Sequence, residues 1–371
     1  MLNLHVVQAE YGDCLLLESQ NGKNSTTVLI DGGPYQTFNK HLKATLKKLL
    51  INSKLDLIVL SHIDNDHIIG LLDLLAEIKE QREKGKEELV KISKLWHNSF
   101  NDLLEIDEDP NTFLQNSFPT MNFRTKEERI KTETFISSTI IKGFQQATDL
   151  TSLARSLKIP INPEFDKLVS VKKLPKIIKI KDITFTILGP TQKNIDKLRK
   201  VWQDWLNKMN LTQNLEFELL QILDKSIPNL SSIMLLVESK SKKILFTGDG
   251  SGDDIIEVLS RTGMLDKLGK FHVDILKVPH HGSDRNISHQ FFNTINADYY
   301  VISANGRDDN PSVDTLKLII ESGNKSKNPK KIVFTNNTPN IAKLTKEYDQ
   351  KKYGYKCIFL EGKNDFLTLS L

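Results

Sequence analysis

Leu2–Val7, Cys14–Glu18, Thr27–Ile30 and Leu55–Leu60 are short apolar runs, separated by turn pairs such as Gly12-Asp13 and Gly22-Lys23. Toward the other end Ser232–Val237, Ile244–Thr247, Val273–Val278, Tyr299–Ile302 and Ile332–Thr335 repeat the pattern. Runs this short, bounded by turn residues, read as strands. Between them the apolar spacing becomes helical, at Leu42–Leu50, Ile68–Glu83, Asp253–Leu265 and Ser312–Ser322. Strands alternating with helices at both ends predict an α/β architecture, layered with helices outside.

The middle reads differently. Residues 85–175 are rich in Lys, Glu, Asn and Thr, with weakly amphipathic stretches at Glu127–Ile141 and Gln145–Ser156. A strand pair, Ile177–Ile180 and Ile183–Leu188, ends in Gly189-Pro190, and helical pieces follow at Asn194–Asn207 and Gln213–Leu223. The pattern predicts one domain over 1–371, interrupted by a mostly helical insertion at 85–175 and a shorter helical piece at 191–225. Trp96, Phe100, Phe113, Phe118, Phe123, Trp202 and Trp205 are expected to form a small core of the insertion; the sharper alternative is a lid or a base-stacking surface.

Composition narrows the partners. With 39% hydrophobic and 26% charged residues in 371, a sizeable core is available. A net charge of +4 neither demands nor excludes a polyanion. Two cysteines, Cys14 and Cys357, lie far apart without CxxC spacing, which excludes a thiolate metal site and suits a reducing compartment. The stretch MLNLHVVQAEYGDCLLLES has no basic leader, and no apolar run approaches the roughly 18–20 residues that span a bilayer. The expected address is the cytoplasm, with no membrane partner. Lysines 167, 172, 173, 176, 179 and 181 form a basic run, read as a solvated face or, more sharply, an anion-binding surface.

Four side chains able to hold a metal fall within six residues, His62-Ile63-Asp64-Asn65-Asp66-His67, directly after an apolar run. Asp66 is placed to cap the helix beginning near His67. Capping accounts for Asp66 alone and leaves His62, Asp64 and His67 unexplained. Two later runs also end in metal-competent residues, LFTGDG in Asp249 and LKVPHHGS in His280 and His281, and the earlier VLIDGGP ends in Asp31. Strand ends gathered at one sheet edge can build a site from such distant segments. His5, His41, His272 and His289 read as structural, while His97, in KLWHNSF, is a weaker candidate for the cleft.

HxDxDH followed by TGD and HHGS resembles the metallo-β-lactamase fold superfamily. The resemblance extends to GDC…IDGG, to Asn229-Leu230-Ser231-Ser232 before the strand at Met234, and to VISANG at Val301–Gly306. Within it the chain looks most like the soluble hydrolase domain of ComEC-type DNA-uptake proteins and their stand-alone relatives, over residues 1–80 and 180–340. The resemblance implies an αββα sandwich with a centre for two divalent ions, Zn or Mn, at one edge of the sheets. It assigns His62 and Asp64 to the first metal, Asp66 and His67 to the second, and Asp249 to a bridge between them. One of His280 and His281 completes the second site; the reading leans to His281, with His280 toward substrate. Asp31 braces the metal loop, and Asn229, Ser232 and Ser283 stand around it.

Asp64 occupies a position where a histidine is commoner, and the Asn229–Ser232 segment lacks the histidine that usually serves the first metal. Both are features of the ComEC-like branch, and they leave the first metal poor in nitrogen. Two divalent ions against Asp64, Asp66 and Asp249 leave a charge of about +1, and an oxygen-rich set admits harder ions, so Mn²⁺ rivals Zn²⁺. Such a centre activates water for hydrolysis. A phosphodiesterase or nuclease acting on DNA, RNA or another phosphodiester is the favoured function. Asp66, His280 and His281 carry the chemistry, with Lys277 and Arg285 adding positive charge nearby. The alternatives are a hydrolase of lactones, thioesters or amides, and a regulatory or binding protein that keeps the fold without turnover.

Overall fold

The computed structural model describes residues 1–21, 24–50, 53–105, 140–209, 229–322, 329–362 and 364–371. The Gly22-Lys23 turn, most of Glu127–Ile141, all of Gln213–Leu223, and Phe113, Phe118 and Phe123 lie outside the described residues.

The first part of the chain supplies β1 (Leu2–Val7), β2 (Leu15–Asn21), β3 (Asn24–Ile30), β4 (Lys54–Leu55), β5 (Leu57–Val59), β6 (Lys91–Ile92) and β7 (Leu95–Trp96). The second supplies β8 (Ile177–Ile180), β9 (Ile183–Gly189), β10 (Met234–Ser239), β11 (Lys242–Phe246) and β12 (Phe271–Lys277). It continues with β13 (Ile295–Ile302), β14 (Lys330–Phe334), β15 (Tyr355–Phe359) and β16 (Phe366–Ser370). One sheet runs β16-β1-β2-β3-β5-β7; the other runs β15-β14-β13-β12-β11-β10-β9-β8. Strands β11 to β15 pair in parallel, as do β3, β5 and β7.

Side-chain parity explains how the sheets stack. Leu57 and Val59 point to one face of β5 and join Leu4, Leu17, Phe185, Val237, Phe246 and Ile275 in a core between the sheets. Ile58 points the other way, with Leu16 and Leu29, under α1 (Lys43–Leu49) and α2 (Asn65–Glu83). Beyond α3 (Phe100–Leu104), helix α4 (Ile140–Ser156) adds Ala147 and Leu150 to that outer core. After α5 (Gln192–Met209), the far face of the second sheet is covered by α6 (Gly252–Arg261), α7 (His289–Thr294), α8 (Val313–Glu321) and α9 (Pro339–Glu347). Ile255, Phe291, Leu316 and Ile341 of those helices meet Leu276, Tyr300 and Phe334. The chain is an αββα sandwich.

Two expectations change. Leu55–Leu60 is not one strand, because Asp56 interrupts it. That buried carboxylate accepts from the Thr27 amide at 3.1 Å and pairs with Lys181 at 2.8 Å, so Leu55 pairs with Ile92 in a small separate sheet while Leu57–Val59 enters the main one. Trp96 is not in a core of the insertion. It lies fully buried between the sheets, edge-on to Phe165 and Phe185, with its indole N–H donating to Glu164. Among the described residues no helix is long and apolar enough to cross a membrane.

Candidate metal centre

The loops after β1, β3, β5, β11, β12 and β13 gather at one edge of the sandwich and bring Asp13, Asp31, residues 61–67, Asp249, His280, His281 and Ser303 together. Bare backbone lets them approach. A Cβ on Gly12 would stand 2.0 Å from the Asp66 carbonyl, and one on Gly70 would stand 1.8 Å from the Gly32 carbonyl. In their place run hydrogen bonds from the Asp13 amide to the Asp66 carbonyl (3.1 Å) and from Gly32 to His67 (2.7 Å).

Asp66 does not cap α2. The extended residue before the helix is Asp64, whose side chain makes no capping bond, and Asp66 already sits in the first turn. The Asp66 carboxylate is therefore free to face the strand ends, 3.3 Å from His281 Nε2 and 4.0 Å from His67 Nε2.

Four histidines share one arrangement. Nδ1 of His62 meets Ser61 Oγ at 3.0 Å, that of His67 meets Asp31 Oδ2 at 2.8 Å, that of His280 meets Asn286 Oδ1 at 3.1 Å, and that of His281 meets the Ser303 carbonyl at 2.9 Å. A carbonyl or carboxylate partner fixes the proton on Nδ1 and leaves the lone pair on Nε2, the form in which imidazole binds metals. Nε2 of His62, His67 and His281 has no hydrogen-bond partner among the described residues, although all three atoms are buried. Each is turned toward Asp249: His281 Nε2 lies 3.3 Å, and His62 Nε2 3.9 Å, from Oδ2, and His67 Nε2 lies 3.5 Å from Oδ1. His280 Nε2 is 3.7 Å from the same Oδ2, and His62 Nε2 is 3.5 Å from Asp64. An ion bound at about 2.0–2.2 Å holds its donors roughly 3–3.5 Å apart, so this donor set fits divalent ions.

The electrostatics agree. Burial pulls His67 down, yet the Asp249, Asp31 and Asp66 carboxylates carry it well above its ordinary value. Burial likewise opposes, and Asp249 and Asp13 overcome, a rise of His281 to about 10. Against its own burial, Asp249 is held well below the usual carboxylate range by His281, His67 and His280. The carboxylates facing these rings favour positive charge on the Nε2 side, whether it comes as a proton or as a metal ion.

The remaining candidates lie as follows. Asp31, in a left-handed conformation (φ 58°), accepts from the Ser61 amide at 2.7 Å and hydroxyl at 2.8 Å besides meeting His67. Asn229 is buried with neither amide atom hydrogen-bonded among the described residues, as is the Ser232 hydroxyl. Ser283 caps a short turn by accepting from the Arg285 amide at 3.4 Å. His97 is fully buried, and burial alone lowers its pKa to about 4; no carboxylate contributes, which separates it from the histidines of the centre.

Two residues belong to this edge in places the sequence does not suggest for them. Asp13 was read as part of a turn. Lys277 was read as flanking positive charge, and that is corrected here: its side chain is 2% exposed and ion-paired with Asp13. The signal was available, since Lys277 shares the parity of Ile275, an inward-facing core residue. The basic run does not form a continuous positive surface either. Lys172 lies 3.9 Å from Asp166, Lys176 meets the Glu164 carbonyl, and Lys181 pairs with Asp56. Lys167, Lys172 and Lys176 line a cavity of about 850 Å³ together with Asp102, Glu105 and Asp166, while Lys179 and Lys181 line another of about 700 Å³.

A family profile described as the metallo-beta-lactamase superfamily matches residues 7–139. No curated protein matches the chain. Among solved structures it is similar to the metallo-beta-lactamase fold protein YhfI from Bacillus subtilis, at 11% identity and a TM-score of 0.39, with 100% of this chain and 99% of that one covered. Zn(2+)-bound PqqB from Methylobacterium extorquens is similar at 9% identity and a TM-score of 0.42, with both chains covered in full. A diphosphatase from the PhnP family is similar at 12% identity and 0.39, with 100% and 98% covered. Likenesses this distant transfer no substrate. The profile spans Asp13, Asp31 and the whole His62–His67 loop, and this match supports the metallo-β-lactamase superfamily, whose fold is generally hydrolytic.

Proposed function

We propose that the chain is a metal-dependent hydrolase of the ComEC-like branch that cleaves phosphodiesters, with DNA and RNA among the candidate substrates. It is read as one cytoplasmic domain carrying helical insertions. The observation that carries the proposal is the set of buried Nε2 atoms turned onto Asp249, each ring held from behind at Nδ1. His62 and Asp64 would hold one divalent ion, and Asp66, His67 and His281 the other, with Asp249 shared and Zn or Mn as the metal. Bound there, the ions would make hydroxide available from water near neutral pH and draw charge from the substrate oxygen that faces them.

The residues divide the remaining work. Asp66, with about a quarter of its side chain exposed, keeps carboxylate oxygen open to the cleft and would hold a proton of the attacking water. The His280 side chain is 14% exposed, the most open of the four rings. Asn286 donates its amide to the Asp249 carbonyl at 2.7 Å, which turns Oδ1 toward His280 Nδ1 and leaves the His280 lone pair on Nε2. His280 is therefore a proton acceptor or an extra nitrogen for the first ion, rather than a donor to phosphate. With the lysine run divided between two cavities, the preference for phosphate rests on the oxygen-rich donor set, which suits hard ions and anionic oxygen.

The test is turnover with Mn²⁺ and with Zn²⁺ on single-stranded DNA, duplex DNA, RNA, a chromogenic phosphodiester and a lactone. Cleavage of a phosphodiester is expected. Turnover of the lactone alone would move the chain to the small-molecule class, and no turnover of any substrate to the binding class.

A further inference from the structure

Among the largest fully buried side chains in the described residues, Lys277 is the one that carries a charge, and the proposed reaction gives it no part. It stands at the end of β12, paired across the ladder with Val301, and faces the core between the sheets. Burying an ammonium is costly unless partners surround it. Here they do: Lys277 Nζ forms an ion pair with Asp13, lies 3.3 Å from the Gly248 carbonyl and 3.8 Å from Asp249 Oδ1. Asp13 in turn faces the rear of two rings, with Oδ1 3.6 Å from His281 Nδ1 and Oδ2 3.9 Å from His67 Nδ1.

This geometry separates Asp13 from the ligands. Ligand atoms of Asp13, His67, Asp249 and His281 come within 4.8 Å of one another, which by distance alone suits an ion. However, the ammonium already stands against Asp13, and the rings turn toward it the nitrogens that Asp31 and Ser303 engage. The space behind the rings belongs to Lys277.

We propose that Lys277 is a positioning residue of the second-metal half-site. It fixes the Asp249 carboxylate directly and, through Asp13, the rings of His67 and His281. The inference rests on the metal-centre reading above, and its readout is ion binding rather than turnover.

Lys277→Met is compared with the unmodified chain by titration calorimetry with Mn²⁺, and circular dichroism checks the fold of the apo-protein. Removing a positive charge beside a cation site should by Coulomb attraction alone strengthen Mn²⁺ binding. Loss of positioning should weaken it by about 10–100-fold, the usual scale for groups that orient metal ligands. A weakening is expected. Because Lys277→Met leaves Asp13 buried and unpaired, the double variant Asp13→Asn with Lys277→Met removes both charges and decides the matter if the single variant does not fold. It too should bind Mn²⁺ weakly. Affinity at or above that of the unmodified chain, in a folded single or double variant, overturns the proposal. Failure of the unmodified chain to bind Mn²⁺ overturns instead the metal-centre reading beneath it, whereas Mn²⁺ binding without phosphodiester cleavage leaves the role of Lys277 intact.

Discussion

On one side of Asp249 stand Asp66, His67 and His281, with the ring nitrogens 3.3 to 4.0 Å from the carboxylates, both rings fully buried and each braced at Nδ1. On the other stand His62 and Asp64, the latter with 31% of its side chain exposed, near a segment where Asn229 and Ser232 offer weaker donors. The carboxylates are similarly exposed and all three rings are buried; the difference lies in the donors, two rings and a carboxylate on one side against one ring and a carboxylate on the other. A ring pinned from behind loses little freedom when an ion arrives, and the Asp66 side has two such rings to the Asp64 side's one. The two halves should therefore differ in affinity, with the Asp66 side filling first and the Asp64 side leaving room for a substrate oxygen.

The harshest way to break this comparison is to remove what the halves share. Asp249→Ala should lower phosphodiester turnover by about a thousandfold or more, the scale on which loss of a charge-stabilising element acts, and reduce bound metal at both positions. Steady-state kinetics and metal analysis of the folded variant check it; undiminished metal-dependent turnover would remove Asp249 from the centre. Taking the halves one at a time, His281→Ala should weaken the tighter Mn²⁺-binding step by roughly 10–100-fold and His62→Ala the weaker step, read from two-step calorimetric isotherms. Equal effects on one step would erase the distinction. Asp64→His sharpens it by adding nitrogen to the poorer half, and should shift preference from Mn²⁺ toward Zn²⁺ by about tenfold in competition binding.

The smallest effect comes from a histidine outside the centre. His97 is as buried as His281, yet it meets no carboxylate; burial lowers it to about 4 while His281 rises to about 10. An unfolded chain takes up the His97 proton near its ordinary value of 6.5, and the folded chain only near 4. The folded state thus binds fewer protons between these values, and stability falls as pH drops through them, by about 3 kcal/mol in all. His97→Leu should flatten that part of the acid limb, measured as the difference in urea midpoints between pH 7 and pH 4.5. An unchanged slope would mean the folded protein protonates His97 without penalty.

What the sequence made legible follows from which groups announce themselves. Residues 62–67, Asp249 and the His280–His281 pair could be read as one cluster because each ends an apolar run, and strand ends meet at a sheet edge. The layering followed from the same runs. Asp13 and Lys277 escaped because an aspartate after glycine looks like a turn and a lysine looks like surface; only the parity of Ile275 and Lys277 shows the latter pointing inward. The strands β15 and β16 escaped because they are half exposed, with weak apolar contrast along Tyr355–Phe359 and Phe366–Ser370. The capping of α2 was misplaced by two residues, since a cap depends on backbone angles that Asp64 and Asp66 do not disclose by residue type.

The glycine contacts have a mechanical consequence. Where Gly12 meets Asp66 and Gly32 meets Gly70, main chain rests on main chain, with no side chain between to yield. Helix α2 carries Asp66 and His67 at one end and packs Leu71, Leu74 and Ile78 beside Ala147 and Leu150 of α4. It is a stiff lever with two of the proposed metal donors at its tip. A displacement of that end cannot be taken up by side-chain rotation, so it passes directly to the Gly12 and Gly32 loops.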